Sequence, residues 1–167
     1  MNNELTQMDL DKMQAELDER RLKILPELIE EVKRTRAFGD LSENYEYKAA
    51  KQAQNRCKSR IRYLERMIAS ARVIEDKSAP DEVGLFDKVL LYMPEDDCEE
   101  TVQVVSTVRC DPLSGLISRE SPLGRVLLGK KAGDTVTVHV SDSYSYQAVI
   151  RSITKGSDDG SAPLLQY

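Results

Sequence analysis

Apolar residues recur at steps of three, four and seven through the first half of the chain, and at steps of two through much of the second. The first rhythm belongs to helices and the second to half-buried strands. Over 6–38 the apolar positions are Leu10, Met13, Leu17, Ile24, Leu28 and Val32. Pro26 interrupts them. A proline removes one helical hydrogen bond and clashes with the preceding turn, so a kink or brief break is expected, with Pro26 near the start of the second half. Gly39 fits the left-handed position after a helix C-terminus. Over 42–74 a second stripe runs Tyr47, Ala50, Gln54, Cys57, Ile61, Leu64, Ile68 and Ala71, in the alternating three-four steps of a coiled-coil seam. Only a few residues join the two segments, so the helices are expected to be antiparallel neighbours. At about 1.5 Å per residue the second spans roughly 50 Å. The seam is apolar at its base and weakens toward the turn through Gln54 and Ala50, so the tip is not built for stability.

From 76 to 81 the composition shifts to Lys-Ser-Ala-Pro, a linker signal. Strands are expected at 85–93, 101–109, Leu116–Ser118, 135–140 and 144–153. Val136, Val138 and Val140 alternate with Thr135, Thr137 and His139. One short helix is expected over 122–130, with Ser121 as its cap, Pro122 at its first position and Gly129 at its end. The chain thus divides into a helical hairpin (1–75), a small β-rich domain (76–153) and a Ser/Gly/Asp-rich tail (154–167) that reads as disordered. The fold class is α+β.

Composition narrows the chemistry. With 167 residues, 40 % hydrophobic and 32 % charged, the chain suits one or two small domains. No apolar run is long enough to span a bilayer. The N-terminal residues carry Glu4, Asp9 and Asp11 and lack a basic-then-apolar export pattern. Cys57, Cys98 and Cys110 are odd in number and far apart, which suits reduced thiols in a cytoplasmic protein. The net charge of −5 hides an asymmetry: residues 1–75 hold 15 Lys/Arg against 14 Asp/Glu, residues 76–167 hold 9 against 15. Within 48–72 stand Lys48, Lys51, Arg56, Lys58, Arg60, Arg62, Arg66 and Arg72, with Glu65 the only acid. These cations could pair with acids of the preceding helix or track nucleic-acid phosphate. Their spread around the helix favours pairing. His139 faces the polar side of its strand, and no Walker, GxGxxG or Cys/His metal spacing appears.

The tip holds Asp40 and Glu43. Asp-x-x-Glu is the spacing of a capping box, and spacing alone favours that role. A helix start at Ser42 would instead free Asp40 and leave Glu43 pointing outward. Two carboxylates cannot complete the oxygen shell of Mg²⁺, but they could complete one shared with another protein. In two-metal phosphoryl chemistry such a site activates water against a phosphodiester.

The run GDLSENYEYKAAK, preceded by PELIEEVKRTRAF and followed by a long basic helix, resembles the Gre-type bacterial transcript cleavage factors, and within them the GreA branch more than GreB. Leu5-Thr6 before Lys12-Met13 and Glu16-Leu17 is similar to that family's opening. Cys110-Asp111-Pro112, Ile117-Ser118 and SPLGRVLLGKKAGDTV are similar to its second signature. The likeness covers roughly 5–153.

The resemblance implies a coiled coil that enters the secondary channel of RNA polymerase and an FKBP-like domain that docks at the channel rim. It implies an accessory factor rather than an enzyme, a monomer that binds no membrane. Asp40 and Glu43 would help hold a Mg²⁺ shared with the polymerase, with no cofactor bound stably alone, while Ser42 and Asn44 support them. The nascent RNA 3′ end would then be cut. The rim contact would map to Ser121, Pro122, Leu123 and Arg125, and Lys48, Lys51, Arg56 and Arg60 would face RNA. Related proteins of the same architecture inhibit polymerase, which is the alternative. Prolyl isomerase chemistry, suggested by the FKBP-like likeness, wants an aromatic-lined pocket that Phe86, Tyr92, Tyr144, Tyr146 and Tyr167 are too few and scattered to line. Three departures stand out: Asp9 where the family often has Gly, Val140-Ser141-Asp142-Ser143 in place of its Thr-Pro-x-Gly turn, and the tail, which has no counterpart.

Overall fold

The computed structural model describes residues 3–39 and 44–166. Two compact units emerge, one formed chiefly by Asp9–Arg72, the other by Glu4–Met8 and Val73–Gln166. Among the described residues no helix is long and apolar enough to cross a membrane.

The first unit is an antiparallel helical hairpin. Helix α1 (Gln7–Glu19) passes through a π-helical turn at Arg20–Ile24 into α2 (Leu25–Arg36). The break falls where Pro26 requires it. Proline brings no N–H and its ring crowds the carbonyl four residues back, so the turn before it widens and the Leu25 N–H reaches Arg20 O, five residues away. Helix α3 (Tyr45–Ala69) returns alongside. Glu16 meets Arg60 toward one end of the hairpin and Thr35 meets Asn44 at the other, which fixes the antiparallel sense. Met13 and Leu17 are buried in the first arm, as are Ala50, Gln54, Cys57, Ile61 and Leu64 of the expected seam in the second. Tyr47 and Ile68 are half-buried.

The second helix is shorter than its apolar stripe suggested. Asn44 is extended (φ −80°, ψ 91°), so α3 starts at Tyr45 rather than 42. At its other end Ala71–Val73 leaves the helix to form β2, which pairs with β1 (Asn3–Leu5). Ile74, the last residue expected in the helix, gives its N–H to Leu5 O at 2.9 Å. A β-branched pair next to a strand partner outweighs the helical period there.

The second unit is built on a five-stranded sheet in the order β5-β4-β3-β7-β6. Its strands are β3 (Lys88–Met93), β4 (Cys98–Val105), β5 (Leu116–Ser118), β6 (Thr135–Ser141) and β7 (Tyr144–Thr154). All neighbours are antiparallel except β4 and β5. Val89, Val102, Val104, Ala148 and Ile150 are buried on its inner face, each of the larger ones worth roughly 1.5–3 kcal/mol in transfer from water. β3 begins later than expected because Phe86 takes a positive φ of 65°, which a strand cannot contain. β4 stops at Val105, and Thr107–Arg109 forms a 3₁₀ turn instead. In β6, Val136 and Val138 face the core as expected, but the bulge between His139 and Ser141 leaves Val140 53 % exposed.

The tail was expected to be disordered, yet residues 155–166 follow a defined course over this unit. Asp158 binds the buried Arg109 guanidinium through both oxygens, at 2.6 and 2.9 Å, and accepts from Thr6 Oγ1. Asp87, fully buried, accepts from the Gly156 N–H and the Lys155 ammonium. The Leu165 N–H reaches Val108 O. Composition reads Ser/Gly/Asp as solvating; it does not register that a cation buried 49 residues earlier requires a carboxylate.

Candidate functional site

The hairpin turn is the first candidate. Helix α2 ends with Thr35, 1 % exposed, whose hydroxyl donates to Glu31 O at 2.9 Å and lies 3.2 Å from Val32 O. Ala37 closes the helix, and Gly39 takes a φ of +104° with no atom near its missing Cβ, so glycine stands there for its backbone freedom and not for space. Asp40, Ser42 and Glu43 lie outside the described residues. Asn44 then begins the return. Its Oδ1 accepts the Tyr47 N–H at 3.0 Å, and its Nδ2 donates to Thr35 O at 2.7 Å.

Asn44 is therefore the cap residue of α3, and the capping box read from Asp40 and Glu43 falls on residues outside the described ones. Asn caps as well as Asp, and only Asn can also donate across the turn. Phe38 and Tyr45, 57 % and 80 % exposed, flank the turn. Arg34 lies over the Phe38 ring and Lys48 over that of Tyr45. Neither aromatic falls on the apolar stripe of its helix, so the hydrophobic period does not point to them. Among the described residues no group of three His, Cys, Asp or Glu could hold a metal.

Of the four residues expected to face RNA, Lys48, Lys51 and Arg56 are exposed on α3, with Lys51 Nζ 3.4 Å from Gln54 Oε1. Arg60 is not on that surface. It is 5 % exposed, binds both oxygens of Glu16 at 2.9 Å and lies 5.0 Å from the Tyr63 ring. Arg20 holds the same carboxylate at 2.7 Å. Burial pushes the Glu16 pKa up, but hydrogen bonds and charge from Arg60 and Arg20 outweigh it and hold the carboxyl below its ordinary range. Nothing in the spacing singles out one of these eight cations as internal.

The second candidate is the helix α4 (Pro122–Leu127) and the turn before it. Ser121 caps it, accepting the Gly124 N–H at 3.0 Å while its hydroxyl donates to Ser118 O at 2.7 Å. Pro122 and Arg125 are exposed, the latter 3.7 Å from Glu120, whereas Leu123 packs against the core. A Cβ on Gly124 would stand 2.1 Å from Ser118 O, so glycine lets α4 lie directly on the β5 end. These four residues thus form a presented corner with one apolar anchor.

Comparison with known proteins bears on both candidates. Residues 3–73 match the family model described as "Transcription elongation factor, N-terminal", and 77–155 match "Transcription elongation factor, GreA/GreB, C-term". A transcription elongation factor GreA of Lactococcus lactis is 46 % identical over 135 residues, covering 80 % of this chain and 86 % of the relative. A Streptococcus agalactiae GreA is 40 % identical over 152 residues, covering 90 % and 94 %. The crystal structure of GreA factor homolog 1 of Thermus thermophilus aligns at 25 % identity with a TM-score of 0.43, over 93 % of this chain and 100 % of that one.

Proposed function

The chain belongs to the GreA/GreB family of transcription elongation factors, and from that membership we propose that it binds RNA polymerase and stimulates cleavage of backtracked RNA. The hairpin turn enters the polymerase's secondary channel and brings Asp40 and Glu43 to the polymerase's own active centre. The observation that supports this is the Asn44 cap. With Asn44 capping α3 through a neutral amide, the Tyr47 N–H at that helix start needs no carboxylate. Hard carboxylate oxygens suit Mg²⁺, and two of them suit a shared site and not a private one. A Mg²⁺ ion held there supplies charge neutralisation and an activated water for attack on a phosphodiester.

The chain's own residues do the rest. Asp40 and Glu43 donate oxygens in trans. Exposed Lys48, Lys51 and Arg56 line α3 beyond the turn and attract the extruded RNA. Ser121, Pro122 and Arg125 present the rim contact, with Leu123 anchoring the corner to the core. The protein has no nuclease activity of its own in this reading.

The test is a backtracked elongation complex with radiolabelled RNA, with and without the protein. Shortened RNA is expected, and Glu43→Gln or Asp40→Asn should abolish shortening while polymerase binding survives. Full shortening with both acids replaced would overturn the assignment. Slowed elongation without shortening would instead identify a channel-plugging inhibitor.

A further inference from the structure

The 3₁₀ turn Thr107–Arg109 is bonded both to the tail and to the presented corner. From the tail, Asp158 holds the Arg109 guanidinium at 2.6 and 2.9 Å, and Leu165 gives its N–H to Val108 O at 2.8 Å. Toward the corner, the Thr107 and Ser118 hydroxyls lie 2.9 Å apart. Ser118 is the point to which the corner is fastened. Its Oγ accepts the Glu120 N–H at 3.1 Å, and its carbonyl accepts the Ser121 hydroxyl at 2.7 Å and the Ser121 N–H at 3.0 Å. Gly124 lies against the same carbonyl. Ser118 also ends β5, an edge strand of three residues that meets β4 over three pairs. So short a strand is held by few ladder bonds, and a side-chain bond at its last residue weighs in where that residue stands.

We propose that the tail braces the corner that meets the polymerase: Asp158 and Leu165 fix the Thr107–Arg109 turn, and the Thr107 hydroxyl passes that constraint to Ser118 and so to Ser121 and Pro122. Thr107 and Asp158 are positioning residues for the partner contact and touch no partner themselves. This rests on the rim-contact reading above. The buried Arg109 accounts for the course of the tail, but not for the hydroxyl bond, which starts from an exposed residue with no core to fill.

Four full-length variants test the brace: Thr107→Val, Asp158→Asn, the two combined, and Asp159→Asn, a neighbouring tail acid that bonds locally to Ser161. Each is compared with wild type for melting by circular dichroism, for polymerase affinity by competition with labelled wild type, and for RNA cleavage as factor is titrated. Thr107→Val should melt like wild type and bind about 3- to 10-fold more weakly, the weight of one hydrogen bond. It should still reach the wild-type cleavage rate at saturation. Asp158→Asn should melt lower and bind at least as weakly. The combined variant should bind no worse than Asp158→Asn, because both changes break one route. Asp159→Asn should bind like wild type. A tail that serves stability alone would lower the melting of Asp158→Asn and leave Thr107→Val binding normally. That result, or strict additivity of the two changes, would overturn the brace. If Asp158→Asn is unfolded at the assay temperature, Thr107→Val decides alone. Wild type that fails to bind polymerase would overturn the rim-contact reading itself.

Discussion

Removing Glu16 should cost the hairpin far more than removing Arg60, although the two are partners. Glu16 is the single carboxylate between two guanidiniums, Arg60 at 2.9 Å and Arg20 at 2.7 Å. Arg60 is 5 % exposed and cannot turn to water. Glu16→Ala therefore strands a buried cation beside a second one, a loss on the order of 3 kcal/mol. Arg60→Met replaces the guanidinium with an apolar chain of similar length and leaves Glu16 still paired to Arg20, so the loss should be about 1 kcal/mol. The double variant should cost little more than Arg60→Met, a coupling of roughly 2.5–3 kcal/mol. Urea unfolding followed at 222 nm reads all four proteins. The same carboxyl predicts acid sensitivity. Its folded pKa is lowered, so its contribution is present above the unfolded value of about 4.3 and is lost as pH falls through the folded value. Wild type should lose hairpin stability there more steeply than the double variant. Equal costs for the two single variants, or strict additivity, would refute the shared-carboxylate arrangement.

Two further outcomes are expected. Gly124→Ala places a methyl 2.1 Å from Ser118 O; it should destabilise the β-domain by about 2 kcal/mol and weaken polymerase binding, seen in melts and pull-downs, while the hairpin's helix signal persists. Truncation after Thr154 removes the carboxylate that Arg109 binds twice; it should cost several kcal/mol and make the β-domain protease-sensitive, whereas a dispensable tail would leave its melting unchanged.

The parts legible in the sequence are those set by local period. The 3-4 stripe of α3, the alternation of Val136 and Val138 and the Ser121-Pro122 helix start all appear in the structure where their spacing put them. Pro26 announced a break, though not its π form. What spacing could not show are bonds made at long range. Arg60 resembles its basic neighbours along the chain, and only the facing Glu16 draws it inward. Asp158 sits in a stretch of solvating composition, and the distant Arg109 and Thr6 hold it in place. Asn44 lies inside a motif whose acids drew attention first, and its cap and bridge depend on where α2 ends.

The widened turn at Arg20–Ile24 has a consequence for how this arm can change length over evolutionary time. A π turn spends about one residue more than an α turn for the same rotation. Losing one amino acid there would let the backbone relax to ordinary pitch, with everything beyond it keeping its azimuth. Losing one anywhere else would swing the far end by about 100°. The segment is thus a built-in slack, a stretch of the first arm that can absorb a single-codon deletion without rotating α2 against α1.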